Sequence, residues 1–291
     1  VHGLLRELGA IYDLHTLLRR RRDRASYRAT RRNDGLDVCI KMVYEPTQTA
    51  AQLLARMERE ARLLQQTRNP DIAELLDFGS DDGASFLVTR WMNGVELRRW
   101  RLEAPRRERI HTFAASLLRT VALVHDAGIA HRDLHPGNIL VRPRSDVACV
   151  IDFGLSRRFE SGGRTELTAT LQMLGSPRYI SPEQTSGERT SGASDVFAVG
   201  CILWEVLAGS APWDDPDPVS AALLRLQQPL ASPRQVQPRI TEGEYAILRD
   251  MLTIDPAARL SAASAARRWS DLNRRRRWLW PCGFPLGRRM Y

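Results

Sequence analysis

The rhythm of apolar and polar positions changes once, decisively, along this chain of 291 residues. Up to about residue 90 the apolar runs are short and strand-like. DVCIKMV at 37–43 is a β-compatible run, and the turn signal Asn33, Asp34 and Gly35 predicts a hairpin to an earlier strand around Ser26 to Ala29. One helical pattern interrupts. Leu53, Met57, Glu60 and Leu64 stand four, three and four apart, so they share one stripe of a 3.6-residue helix, with Glu60 as its polar member. SFLVTRWMNG then reads as a strand followed by a glycine-containing link.

From residue 94 onward helical periodicity dominates. Phe113, Leu117, Val121 and Val124 form a stripe that Gly128 should stop. NILV and ACVID, separated by RPRSD, predict a second hairpin. Asp195 to Leu207 is apolar almost all round, as expected of a helix buried in a larger lobe, and amphipathic segments follow near 217–226, 242–252 and 261–272. The predicted class is α+β. A β-rich lobe with one helix covers about 12–90, a link about 90–95, and a larger, mainly helical lobe about 96–273. A basic, aromatic tail at 274–291 is expected to be flexible. No internal repeat is present.

Composition adds limits. Hydrophobic residues make up 43% and charged residues 26%, enough for a sizeable core and against wholesale disorder. Cys39, Cys149, Cys201 and Cys282 lie far apart with no CxxC pair, so reduced thiols are expected. With no signal-peptide pattern and no apolar run of about 18 residues, a reducing cytoplasm is the expected location. The net charge of +9, with arginine runs at 19–24 and 274–277, suits an anionic partner or a genome-wide bias toward arginine. No specific nucleic acid is expected. The tail RRRRWLWPCGFPLGRRMY admits contact with an anionic membrane surface or a solvated end.

Lys41 is the sole lysine among 43 basic residues. A carboxylate on an inward-facing helix row needs a cation, and Lys41 meets that need for Glu60; the alternative is that Glu60 turns to solvent beside Arg56 and Arg59. Downstream, HRDLHPGNIL (131–140) and IDFGLSR (151–157) set Asp133, Asn138 and Asp152 on loops at strand ends, an oxygen set that suits Mg²⁺.

These residues, in this order, resemble the protein kinase family from about Tyr12 to about Asn273. VCIK is similar to the strand whose lysine contacts nucleotide phosphates, and Glu60 to its helix partner. The resemblance implies a bilobal fold, ATP and Mg²⁺ as cofactors, and transfer of the γ-phosphate to Ser/Thr hydroxyls of a protein substrate. It makes Asp133 the base or orienting group, and Asn138 and Asp152 the metal ligands. GSPRYISPEQ resembles the end of an activation segment, with Ser176 and Glu183 in their slots, Arg259 pairing Glu183, and Asp195 bracing the catalytic loop. Arg132 implies control by a phosphorylated activation segment, with Thr165, Thr168 and Thr170 as acceptors, or else a plain exposed arginine. The hinge runs through Thr89, Arg90, Trp91 and Met92, with Arg90 and Met92 backbone groups on adenine, Thr89 as gatekeeper and Glu96 near ribose or a basic substrate residue.

The departures are specific. Arg19, Arg21 and Arg24 occupy the three glycine slots of the phosphate-covering loop, and Ser26 replaces its valine. Either the arginines act as phosphate ligands or the hairpin is open and nucleotide binding is weak; the survival of every charged catalytic position favours activity. Cys39 adds bulk near adenine. His135, in place of lysine, implies a weaker or pH-dependent cation at the γ-phosphate. The readings weighed against a protein kinase are a pseudokinase acting as a binding or allosteric module, and a small-molecule phosphotransferase of the aminoglycoside or choline kinase type.

Overall fold

The computed structural model describes residues 8–20, 24–44, 57–58, 60–67, 69–81, 84–153, 157–158, 177–213, 215, 217–228, 230, 232 and 240–278. The first part is a five-stranded antiparallel sheet of β1 (Tyr12–Arg20), β2 (Arg24–Arg31), β3 (Asp37–Tyr44), β4 (Leu75–Asp81) and β5 (Ala84–Arg90), in the order β1-β2-β3-β5-β4. Alternation in β3 decides its two faces. Val38, Ile40 and Met42 are buried with Tyr12, Ala29 and Val88 in one core, whereas Cys39, Lys41 and Val43 point to the opposite side. The β2–β3 hairpin turns at 32–35, where Gly35 takes a φ of 71° that a Cβ would oppose. The helix α1, described at 57–58 and 60–66, packs Met57, Ala61 and Leu64 inward.

After β5 the chain passes through 91–94 into β6 (Val95–Glu96) and α2 (Leu97–Leu102). The larger part is built on α3 (Arg107–Asp126), followed by β7 (Ile129–Ala130), the 3₁₀ turn Pro136–Asn138, β8 (Ile139–Val141), β9 (Ala148–Val150) and β10 (Arg157–Arg158). The expected stripe of Phe113, Leu117, Val121 and Val124 is buried in α3, and Gly128, at φ 73°, follows its end. The predicted second hairpin forms, with Val141 opposite Ala148.

Past the 3₁₀ turn Pro177–Tyr179 come α4 (Pro182–Thr185), α5 (Gly192–Ala208), α6 (Pro218–Gln227), α7 (Glu242–Met251) and α8 (Ala262–Trp278). Helix α5 is apolar all round because it is the centre of the large core: Phe197, Val199, Cys201, Leu203 and Trp204 are all fully buried. Helix α8 extends past 273 into the segment read as a tail. It continues through Arg274–Arg277 to Trp278, because arginine is a good helix former and no glycine or proline interrupts before Pro281. The membrane-contact reading covers 274–291, of which 279–291 lie outside the described residues. No described helix is long and apolar enough to cross a membrane.

Candidate active site

The cleft face of the sheet carries the first half of the site. Register places Arg19 opposite Ser26, Ser26 opposite Lys41, and Lys41 opposite Leu87, so these residues share one face; Arg24, opposite Val43, falls on it too. Two of the three arginines in the glycine slots are therefore on the Lys41 side of the hairpin, both with exposed side chains. Arg21 lies outside the described residues. Cys39 and Thr89 are cross-strand partners on the same face, with Thr89 buried and burial pushing the Cys39 thiol up.

Lys41 joins three segments that are distant in sequence. Its Nζ donates to Glu60 Oε1 at 2.6 Å and lies 3.0 Å from Asp152 Oδ1. Glu60 is 4% exposed, so the solvent alternative is not what the structure holds. The Phe153 amide also donates to Glu60 Oε1, at 3.1 Å, which ties the helix to the segment after β9. Burial alone would lower the Lys41 pKa, but Asp152 and Glu60 outweigh it and raise it, so the ammonium stays charged. Arginine would not substitute easily here: its fork is planar and longer, and the Lys41 side chain is only 23% exposed.

The second half of the site is the loop between β7 and β8. Asp133 and the buried Asn138 are linked, with Asn138 Nδ2 donating to the Asp133 carbonyl at 3.0 Å. That bond commits the amide NH₂ and leaves the amide oxygen to act as a ligand. Burial, and then the charge of Asp152, push the Asp133 carboxyl up to about 7. Asp133, Asp152 and the Asn138 oxygen supply hard oxygen donors of the kind a divalent cation takes. His135 adjoins Asp133 in this loop. Burial first, then the neighbouring His131, push it down to about 4, so the ring is neutral near pH 7. Its Nδ1 accepts from the Gly137 amide at 3.0 Å, capping the 3₁₀ turn, and Nε2 lies 3.9 Å from Asp133 Oδ2.

The backbone at both halves is held in unusual geometry. Arg132 and Asp152 have φ values of 67° and 68°, the left-handed region that costs a non-glycine residue about 1 kcal/mol or more. Asp195 on α5 supports the first of these: it is 1% exposed and accepts from the amides of His131 and Arg132 at 2.8 and 2.7 Å. His125 Nε2 is 2.9 Å from the same carboxylate, a contact that no local sequence pattern announces. Arg132 donates to Thr190 O at 3.3 Å, and its carbonyl accepts from Gln184, so it is embedded rather than simply exposed. Ser176, Thr165, Thr168 and Thr170 lie outside the described residues.

Around the hinge, the amide and guanidinium of Arg90 both bind Glu74, at 2.8 and 2.7 Å. Met92 is 9% exposed and Glu96 is exposed at the start of α2. A cavity of about 1060 Å³ lies behind the hinge, against Leu64, Ile72, Trp91, Met92 and Arg142. It includes none of Lys41, Asp133 or Asp152, so it is separate from the polar cluster.

Two buried arginines hold the segment leading into α4 and α5. Arg259 binds Glu183 with both Nη atoms, at 2.7 and 3.0 Å, and Ser194 Oγ donates to the same carboxylate at 2.7 Å. Arg225 on α6, 1% exposed, has carbonyls as its partners: it donates to Ile180 O, to Arg178 O at 3.1 Å and to Ala221 O at 3.3 Å. Sequence reading missed it because α6 looked merely amphipathic. Arg225→Met is expected to speed amide exchange across Tyr179 to Ser181 about tenfold, the equivalent of one lost charge-assisted hydrogen bond of about 1.5 kcal/mol. Hydrogen-exchange mass spectrometry checks this.

Comparison with known proteins supplies the last observation. Residues 25–269 match the model of the protein kinase domain. The chain is 31% identical over 269 residues to a probable serine/threonine-protein kinase of Streptomyces coelicolor, covering 90% of this chain and 40% of that protein. It is 32% identical over 240 residues to a serine/threonine-protein kinase of Myxococcus xanthus, covering 78% and 43%. It is 29% identical over 233 residues to the serine/threonine-protein kinase PrkC of Bacillus subtilis, covering 78% and 35%. The chain thus spans under half the length of these curated relatives.

Proposed function

The chain belongs to the protein kinase family, which uses ATP and divalent metal, and from that premise we propose that it is an active serine/threonine protein kinase working with Mg·ATP. The single observation that carries this reading is the Lys41–Glu60–Asp152 constellation, at 2.6 and 3.0 Å. Such a triad is costly to assemble without a ligand to serve, since each buried charge must be matched. The domain is taken as 12–273, with the small lobe to about 90, the hinge at about 90–95 and the large lobe beyond. Cys39, Cys149 and Cys201 are free thiols, which supports a reducing, cytoplasmic setting.

In this reading Asp152 and Asn138 would hold the cation, which would supply positive charge against the phosphates. Lys41 binds and orients the α- and β-phosphates, and Glu60 fixes Lys41. Arg19 and Arg24, on the Lys41 face, supply guanidinium donors where glycine amides would otherwise cover the phosphates. The Arg90 carbonyl and Met92 backbone receive adenine against the face that Cys39 and Thr89 share, and Glu96 lies toward the ribose. Asp133 accepts the proton of the acceptor hydroxyl, and neutral His135 holds the loop in shape beside it.

Incubating the purified chain with Mg·ATP labelled at the γ-phosphate and a generic acceptor protein tests the proposal. Labelled protein is expected. Nucleotide binding without transfer would instead identify a pseudokinase, and labelling of small alcohols alone would identify a small-molecule phosphotransferase. Lys41→Arg keeps the charge but misplaces it, and is expected to lower kcat about 10²-fold, the effect of shifting a reacting group by about 1 Å. Steady-state kinetics read this directly.

A further inference from the structure

The turn Pro177–Tyr179 and the short helix α4 form a wall beside the loop that carries Asp133. A water-sized cavity of about 10 Å³ is lined jointly by Asp133, Leu134, Tyr179, Ile180 and Gln184, so the two segments stand against each other. Gln184 ties them. Its Nε2 donates to the Arg132 carbonyl at 3.1 Å, while its Oε1 accepts from the Ser181 amide at 3.1 Å. The Asp133 side chain is 23% exposed, so a hydroxyl that reaches it does so beside this wall.

A buried cation on α6 fixes the wall. Helix α6 packs against both the turn and α4. Arg225 donates to the carbonyls on either side of Tyr179, that of Ile180 and, at 3.1 Å, that of Arg178, and its Nε returns to Ala221 O at 3.3 Å. The Tyr179 hydroxyl is tied separately, donating to Glu205 at 2.5 Å. Apart from those carbonyls the Arg225 guanidinium lies 6.0 Å from the centre of the Phe197 ring, and it meets no carboxylate among the described residues. A cation buried against neutral partners carries a desolvation cost that an apolar side chain of similar volume would not. Packing alone therefore does not call for arginine here. What Met or Leu could not do is orient two carbonyls at once, and with them the peptide planes that flank Tyr179.

We propose that Arg225 is a positioning residue for the protein acceptor: by orienting the carbonyls on both sides of Tyr179 it shapes the wall along which an acceptor segment lies to reach Asp133. The inference rests on the reading of the site as a protein-phosphorylating centre. It separates acceptor from nucleotide, because the bonds of Lys41 to Glu60 and Asp152, and of the Phe153 amide to Glu60, do not run through this turn. Loss of Arg225 should act on KM for the acceptor and spare ATP.

Steady-state kinetics of the full chain, with Mg·ATP and casein as the acceptor, test this. Arg225→Met is expected to raise KM for casein about tenfold, the effect of one lost charge-assisted hydrogen bond, with kcat and KM for ATP within about twofold of the native values. Arg225→Lys, which keeps the charge but lacks the planar fork, is expected to fall between, at about threefold. A merely structural role would instead lower the folded fraction, and so kcat, without moving KM for casein. That result overturns the proposal, as does an equal rise in KM for ATP or no change at all. Should Arg225→Met fail to fold by circular dichroism, the Lys variant decides: KM for casein at the native value overturns the proposal, and a rise with ATP unaffected supports it. Absence of transfer by the native chain removes the kinase reading and this inference together, whereas transfer that is indifferent to Arg225 removes the inference alone.

Discussion

Asp133→Asn is expected to cut phosphoryl transfer about 10³-fold while leaving ATP affinity nearly unchanged, because it deletes a proton acceptor and little else. Asparagine has the same shape, so the loop should keep the Asn138 bond, which is made to the Asp133 carbonyl rather than to its carboxylate. The nucleotide-facing charges are on other residues. Lys41 remains paired with Glu60 and Asp152, and the face carrying Arg19 and Arg24 is untouched. Single-turnover kinetics with labelled ATP, beside a calorimetric ATP titration, provide the check. Loss of binding together with rate would show that Asp133 acts through the fold; an unchanged rate would remove it from the chemistry.

The second large effect concerns stability. Arg259→Leu strands the Glu183 carboxylate, 3% exposed, with Ser194 as its remaining side-chain donor. Removing one member of a buried pair costs about 3–5 kcal/mol. For a domain of this size that corresponds to a fall in Tm of about 10 °C. The same pair makes a pH prediction. Burial would raise the Glu183 pKa, but the Arg259 and Ser194 hydrogen bonds outweigh it and hold it below its ordinary 4.5. A depressed carboxyl stabilises the fold above the unfolded-state pKa, and that contribution is lost as pH falls through the folded one. The Tm advantage of the native chain over Glu183→Gln should therefore be full at neutral pH and shrink below about pH 4.5.

Much of the fold was legible because burial here follows local period. Val38, Ile40 and Met42 alternate in β3, and Phe113, Leu117, Val121 and Val124 step along α3, so a window of a few residues identifies the inward face. Glu60 was legible for the same reason, as the polar residue in an apolar row, and Lys41 as the only lysine of an arginine-rich chain. The end of α8 was not legible, because four arginines suit a solvated tail and are also good helix formers. How readily His135 takes a charge was not legible, because that depends on burial, which its own neighbours in sequence do not reveal.

By itself, then, the sequence determined which faces are buried, the order of the charged motifs and hence the family they resemble, since all three are properties of residue type and spacing. Tertiary structure alone decided which charges meet. His125 reaches Asp195 across 70 positions, Arg101 reaches Glu205 across 104, and Arg225 reaches the 178–180 carbonyls from a helix more than 40 residues on. Such contacts form where packed elements happen to bring polar ends together in a low-dielectric interior, where an unmatched charge is expensive, and no local period records that.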